Sequence, residues 1–428
     1  MVNVNDFLKH NDNEALDAAI AARGADGTVV IPPRAHADGR EYWLLDRAIL
    51  LPANTTVLLQ NCKIKLSDNC RDNFFRSANC GIGFEENEQL SNIHIMGTGN
   101  AVLEGADHPR ATGDGSKKLK NPCPFTPEDI CKYADWVPEE RKTPEQITFA
   151  DRHDCSYGTD AGKEEECQKG DWRGIGILFA CVDHFTISGI TIRESHGWGI
   201  SLEACSFGTV ERIEFDARMN KVIDGMLQNM ENQDGIDIRN GCHDITISDI
   251  TGETGDDVVA LTAIVPNNTT YRPGGTLGTT HVMHNDYTRR EPGICNIIIR
   301  NIRAYSSLCY LVRLLPCNCQ IRNVVIDGVI DTSPEGVVCG GIFLGEKDAV
   351  YGNNLPGSLV GITISNVIYN NVKKAIRVDG YLQDSSITNV VAMNTKFPVV
   401  SHLRDGGLVN VKTSNLVTAN GNAEIGQA

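Results

Sequence analysis

The sequence predicts an all-β solenoid, a parallel β-helix of successive coils, on three observations. A four-residue unit recurs along the chain, the composition suits short strands and tight turns, and two acidic clusters lie about one coil apart. The recurring unit reads apolar, any, small polar, apolar. It appears as ISGI (187–190), VERI (210–213), ISDI (247–250), IRNI (299–302), IDGV (326–329), ISNV (364–367) and ITNV (387–390), with an earlier relative in IHIMG (93–97). Where nothing is inserted the units are 23 to 27 residues apart, as from Ile187 to Val210, Ile299 to Ile326 and Ile364 to Ile387. Each unit therefore marks one coil. Its β-branched residues stack inward, and the Asn, Gly or Asp between them supplies the backbone of a tight turn.

From the N-terminus, Asn13 to Ala22 reads as a short amphipathic helix stopped at Gly24, and the strand GTVVIPP follows. A helix over 13–24 would close the open end of the solenoid core, which such folds require. The longer gaps between units are insertions, expected as loops on one side that build a binding face. Residues 106–172 are charged and contain Trp136 and Trp172; residues 218–233 include Met219, Met226, Leu227 and Met230; residues 264–294 contain His281 and His284. Solenoids grow by repetition and need no second core, so residues 1–428 read as one elongated domain.

Aromatic residues make up 6% and apolar residues 41%, with 41 Gly, which fits many short strands better than a helical protein. A net charge of −16 argues against nucleic acid as a partner, because phosphate binding needs a basic surface. It also disfavours a polyanionic substrate unless a local basic cleft overrides it. No apolar run approaches the ~20 residues of a membrane span, and MVNVNDFLKHNDNEAL contains no hydrophobic signal region. The fifteen Cys then read most simply as reduced, buried thiols, which favours a cytoplasmic setting. Cys62, Cys181, Cys205, Cys242 and Cys295 sit near strands, as small residues stacked inside a solenoid would. Cys123, Cys131, Cys155 and Cys167 lie in a polar insertion at spacings that fit no common zinc pattern, and they read as ordinary thiols ahead of disulfides or a metal site. The oligomeric state is left open.

The chemistry is concentrated in ENQDGIDIRNGCHDITISDITGETGDDVVALT, residues 231–262. Asp234 and Asp256 are 22 residues apart, so the two clusters should occupy adjacent rungs about 4.8 Å apart. Like charges that close disfavour joint ionisation, so one carboxyl can stay protonated as an acid while another serves as a base. Glycosidases need such a pair. Consecutive aspartates on a regular strand point to opposite faces, so Asp256 and Asp257 share the cleft only if the backbone bends, which Gly255 makes easy. Asp237 is either a supporting carboxyl or a turn residue bonded to its own backbone.

NQDGID and GDDVVAL, in this order and spacing, resemble the NTDGID and GDDCVAI motifs of the polygalacturonase family, glycoside hydrolase family 28, with Gln233 in place of Thr. GTVVIPP and WRGIGILFACVDHFTISGITIRESHGWGISLEAC extend the resemblance over most of the chain. It implies a right-handed parallel β-helix of the pectin-lyase-like superfamily. It also implies that Asp256 is the general acid and that Asp234 and Asp257 activate the attacking water, with Asp237 as a supporting group. Two family motifs are absent. SSLCYLVRLLP stands where Gly-His-Gly belongs, and Arg-Ile-Lys finds at best Arg313-Leu314-Leu315.

An unpaired charge on the apolar strand around Arg313 would be expensive, so Arg313 should meet either the substrate or a carboxylate. His281 and His284, near Asp286, are candidates for cleft contact, with solvated or metal-bound histidines as the alternatives. His196 and Trp198 in ESHGWG resemble a family segment beside the cleft, where Trp198 either stacks on sugar or packs. Arg173 and Arg239 are candidates for holding a substrate anion or are surface charges, and sequons at Asn54, Asn267 and Asn268 mark exposed sites.

The expected function is inverting acid/base hydrolysis of an α-linked, pectin-type or related glycan, with no metal or other cofactor. The family resemblance leaves room for a periplasmic or secreted location. The alternatives are a polysaccharide lyase or epimerase, whose chemistry needs a Lys, Arg, His or Tyr base and often Ca²⁺, and a carbohydrate-binding β-helix without turnover.

Overall fold

The computed structural model describes residues 1–8, 11–35, 38–68, 70, 72–80, 87–108, 175–195, 197–218, 220–223, 225–229, 233–264, 291–346, 354–419 and 424–427. Among them, strands stack in parallel into a 15-stranded and an 11-stranded sheet, wound as a right-handed parallel β-helix. The recurring units set the register. Ile187, Val210, Ile247, Ile299, Ile326, Ile364 and Ile387 pair in succession along the large sheet. Their fourth positions, from Ile190 to Val390, form a second ladder beside them. Both ladders are buried. Each side chain stabilises the fold by roughly 1.5–3 kcal/mol on leaving water.

The third position of every unit carries the turn. Gly189, Arg212, Asp249, Asn301, Gly328, Asn366 and Asn389 all have φ between 52° and 72°. Five residues earlier in each strand runs a second left-handed column of His184, Phe207, Asp244, Asn296, Asn323, Gly361 and Asp384. The sequence conceals this column where it contains Phe207, which has no special preference for that backbone. Side-chain amides bridge successive rungs, as from Asn323 Nδ2 to Asn296 Oδ1 (3.1 Å) and from Asn389 Nδ2 to Asn366 Oδ1 (3.2 Å).

The N-terminal helix spans Asp12–Ala21, and Asn11 caps it by accepting from the amides of Asn13 and Glu14. Ala15, Leu16, Ala19 and Ile20 face the solenoid core, as a cap must. Gly24 does not stop it. The last turn closes on Ala22, whose backbone is right-handed. Buried Asp12 accepts from Arg34 Nε at 3.0 Å and from Leu44 N at 2.8 Å, docking the helix on the first coils.

Of the expected insertions, residues 218–233 contain an antiparallel hairpin, Asn220–Ile223 with Met226–Asn229. Most of 106–172 and 264–294 lies outside the described residues, with Trp136, Trp172, His281, His284 and the four cysteines Cys123, Cys131, Cys155 and Cys167. The eleven described cysteines are free thiols; Cys62, Cys181, Cys205 and Cys242 are buried as expected, and Cys295 is half-exposed. No helix among the described residues is long and apolar enough to cross a membrane.

Candidate active site

Successive strands of the smaller sheet, Ile200–Glu203, Ile236–Arg239, Val259–Ile264, Tyr310–Cys317, Gly340–Leu344 and Ile376–Val378, carry the site. Ile236 and Ile238 point into the core, so alternation turns Asp237 and Arg239 to the other face. In register with Asp237 stand Ser201 on one side and Ala260, Arg313, Phe343 and Arg377 on the other. Asp237 is therefore a strand residue of the cluster and not a self-bonded turn.

The two acidic motifs meet just before these strands. Gly235 N donates to Asp257 O at 2.8 Å, and both Gly255 N (3.0 Å) and Asp256 N (3.2 Å) donate to Gln233 O. Asp234 thus stands against Asp257, one residue beyond the Asp256 that a 22-residue spacing predicts. The chain bends at 255–256, as two cleft-facing aspartates in succession require. Thr254 Oγ1 donates to Asp256 O at 2.6 Å, and Asp256 Oδ1 accepts from Asp257 N at 2.9 Å, fixing the bend. Gln233 is fully buried, and its Nε2 donates to Arg218 O at 2.8 Å.

Asp234, Asp237 and Asp257 are 6%, 2% and 2% exposed, and Asp256 is half-buried. Asp257 accepts from Tyr310 N (3.0 Å) and from Arg313 Nη1 (3.4 Å), while Arg313 Nη2 lies 3.6 Å from Glu346. Asp234 Oδ1 and Asp237 Oδ2 are buried without a hydrogen-bond partner among the described residues. Burial is the main cause that pushes Asp257 up to about 7, reinforced by Asp256 and opposed by Arg313. Burial also holds Asp234 and Asp237 well above the usual carboxylate range; Asp237, Asp256 and Asp257 add to the rise at Asp234, while Arg239 opposes it at Asp237. Carboxyls this close titrate as one set, with protons retained toward neutral pH. Such a set can both donate and accept protons, the requirement for acid/base cleavage.

The other expected residues divide. Arg313 meets Asp257 and Glu346 and lies 5.5 Å from the Phe343 ring centroid, so it joins the cluster as an ion-pair partner. Trp198 is packed, with Cys80, Ile175, Leu178 and Ala180, which removes it as an open sugar platform. Arg239 is fully buried with its guanidinium 4.7 Å from the Trp198 ring centroid, so it is not a surface charge and does not present its cation to solvent. His196, His281 and Arg173 lie outside the described residues. Asn54 is exposed, as its sequon suggests, and its Oδ1 accepts from Asn92 Nδ2 at 2.9 Å. Sequence reasoning missed Tyr310, Glu346 and Cys309.

Among the described residues, one metal-like set stands out: potential ligand atoms of Asp256, Asp257 and Cys309 lie within 4.8 Å of one another. Burial and both carboxylates push the Cys309 thiol far up, so it stands beside them as a neutral thiol.

Residues 154–277, which include both acidic motifs, match the family model described as glycosyl hydrolases family 28, and the resemblance read from those motifs holds. Among solved structures, the chain is similar to a hyperthermoactive exopolygalacturonase from Thermotoga maritima, at 16% identity over 99% of this chain and 92% of that one, with a TM-score of 0.54. It is also similar to the Streptococcus pneumoniae surface protein and adhesin PfbA, at 14% identity over 100% and 99% of the two chains, with a TM-score of 0.50. These likenesses establish the fold. A search of curated proteins found no match.

Proposed function

We propose, from the family-28 match across both acidic motifs, that the protein is a glycoside hydrolase acting on a pectin-type or related α-linked glycan. The observation that carries this reading is the convergence of Asp234, Asp237, Asp256 and Asp257 from two coils onto one face, with Asp257 raised to about 7. Within the cluster, roles follow the resemblance. Asp256, the most open of the four carboxyls, gives its proton to the leaving oxygen. Asp234 and Asp257 hold the water and take its proton, and the product inverts if acid and base stand about 6.5–9.5 Å apart. Because these groups share protons, the active ionisation state belongs to the set and not to one residue.

Arg313 is already paired with Asp257 and Glu346, so its charge is largely compensated within the protein. That favours a substrate other than plain polygalacturonate at the cleavage subsite: a decorated, pectin-derived oligosaccharide or another α-linked glycan.

Digestion of a glycan panel, with products resolved by size and anomeric configuration, tests the reading. Asp256→Asn should reduce turnover at least about 100-fold while leaving thermal stability unchanged or higher, because a charge leaves a crowded carboxylate set. Retained turnover removes Asp256 from its role. Unsaturated, ultraviolet-absorbing products would point to a lyase, and sugar binding without any product to a non-catalytic β-helix.

A further inference from the structure

Cys309 enters the acid cluster from the next coil. Tyr310 N donates to Asp257 Oδ1 and Val258 N to Tyr310 O, so the segment before Tyr310 runs alongside Asp256 and Asp257. The backbone there is held tightly. Ser306 Oγ accepts from the amides of Leu308 (3.2 Å) and Cys309 (2.8 Å), and Cys309 O accepts from Gly340 N at 2.8 Å. The thiol sulfur therefore has little freedom to leave the carboxylates within 4.8 Å of it.

We propose that Cys309 is a positioning residue for Asp256: its neutral thiol donates the S–H to the Asp256 carboxylate and holds that carboxyl at the open side of the cluster. Three observations support this role. Asp256 Oδ1 accepts from the adjacent Asp257 amide, which leaves acceptor capacity on the carboxylate for a second donor. Burial, Asp257 and Asp256 keep the thiol protonated throughout the range where carboxyls titrate, so it remains a donor. Asp256 is the half-exposed member of the set, where a lateral tether does most to fix direction.

The groups facing this pair are Asp234 and Asp237 from one strand, Asp257 from its own segment, and Tyr310 and Arg313 from the next, with Glu346 behind Arg313. A donor to a carboxylate favours its ionised form, so losing the thiol should show in the pH dependence of activity as well as in its rate.

This inference rests on the hydrolase reading for its catalytic meaning, but its geometry can be tested without turnover. In infrared difference spectra of the full chain, wild type minus Cys309→Ala isolates one S–H stretching band. The band should lie at the lowered frequency of a bonded thiol and move toward the free-thiol position in an Asp256→Ala background. A band at the free-thiol position, or one that ignores Asp256, overturns the proposal whether or not the protein cleaves any glycan.

With an active substrate, Cys309→Ala should move the alkaline limb of the kcat/KM profile upward by about 0.3–1 pH unit, the size expected from one weak neutral donor. Cys309→Ser, which supplies a stronger hydroxyl donor, should move the limb below the wild-type position. A lowered kcat with an unmoved limb in both variants would mark Cys309 as packing alone and refute the role. Should the alanine variant fail to fold, the serine variant carries the test, because a stronger hydroxyl donor must then shift the limb downward.

Discussion

Asp257→Asn should change how stability depends on pH, and the structure gives both sign and size. The carboxyl is 2% exposed and rises from 3.8 to about 7, chiefly through burial. Below about pH 4 it is protonated in the folded and unfolded chains alike, and its contribution is fully favourable. As pH rises, the unfolded chain releases the proton first, so the folded state loses stability until the buried carboxyl itself titrates near 7. Roughly three units at about 1.4 kcal/mol each correspond to ~4 kcal/mol, an upper figure because the neighbouring carboxyls titrate with it. The asparagine variant lacks this dependence, so its stability relative to wild type should improve by up to ~4 kcal/mol between about pH 4 and pH 8. Urea denaturation of both proteins at several pH values measures the difference. A gap that stays constant, or wild type gaining on the variant as pH rises, would refute the buried-carboxyl argument.

Arg313→Ala removes the cation that opposes the rise at Asp257, so the cluster should titrate at higher pH and the activity profile should shift to the alkaline side; an unmoved profile would show that the 3.4 Å pair is not formed in solution. Phe207→Asn replaces an exposed aromatic at φ 51° with a residue that tolerates this backbone, and should raise the unfolding free energy by about 1 kcal/mol. A loss measured by thermal melting would mean that the ring contacts of Phe207, stacked on His184 at 5.3 Å and edge-on to His243 at 5.5 Å between centroids, outweigh the strain. Thiol titration of unfolded, unreduced protein should count at least the eleven cysteines that are free in the fold, and a smaller number would contradict it.

The coil repeat was legible because solenoid packing imposes the same demand at every rung. A β-branched pair must point inward, and the residue between must accept a left-handed backbone, so ISDI and ISNV announce themselves. Phe207 meets the same backbone demand without the residue type that signals it, and that column stayed hidden. The acid cluster was legible because nothing is inserted in the coil that separates its two motifs. Its exact register was not: Asp234 stands against Asp257, and the one-residue difference comes from the bend at 255–256.

Burial also escaped the sequence. Nothing in ESHGWG distinguishes a packed Trp198 from an open one, nor does IDIR reveal that Arg239 will have no exposure. Cys309 and Tyr310 lie 53 residues beyond Asp256 and Asp257, across a long insertion, so counting coils could not place them beside the aspartates.

That unequal spacing has an architectural consequence. Asp234 and Asp257 are neighbours after 23 residues, and Asp257 and Tyr310 after 53, yet both steps close with the same kind of backbone bond, Gly235 N donating to Asp257 O in the first and Val258 N to Tyr310 O in the second. A coil can thus lengthen by some thirty residues without moving the rung it returns to, and each doubling of a loop adds only about 0.6 kcal/mol of closure cost. The length of chain between two rungs and the place of the aspartates on them are therefore independent variables of this scaffold.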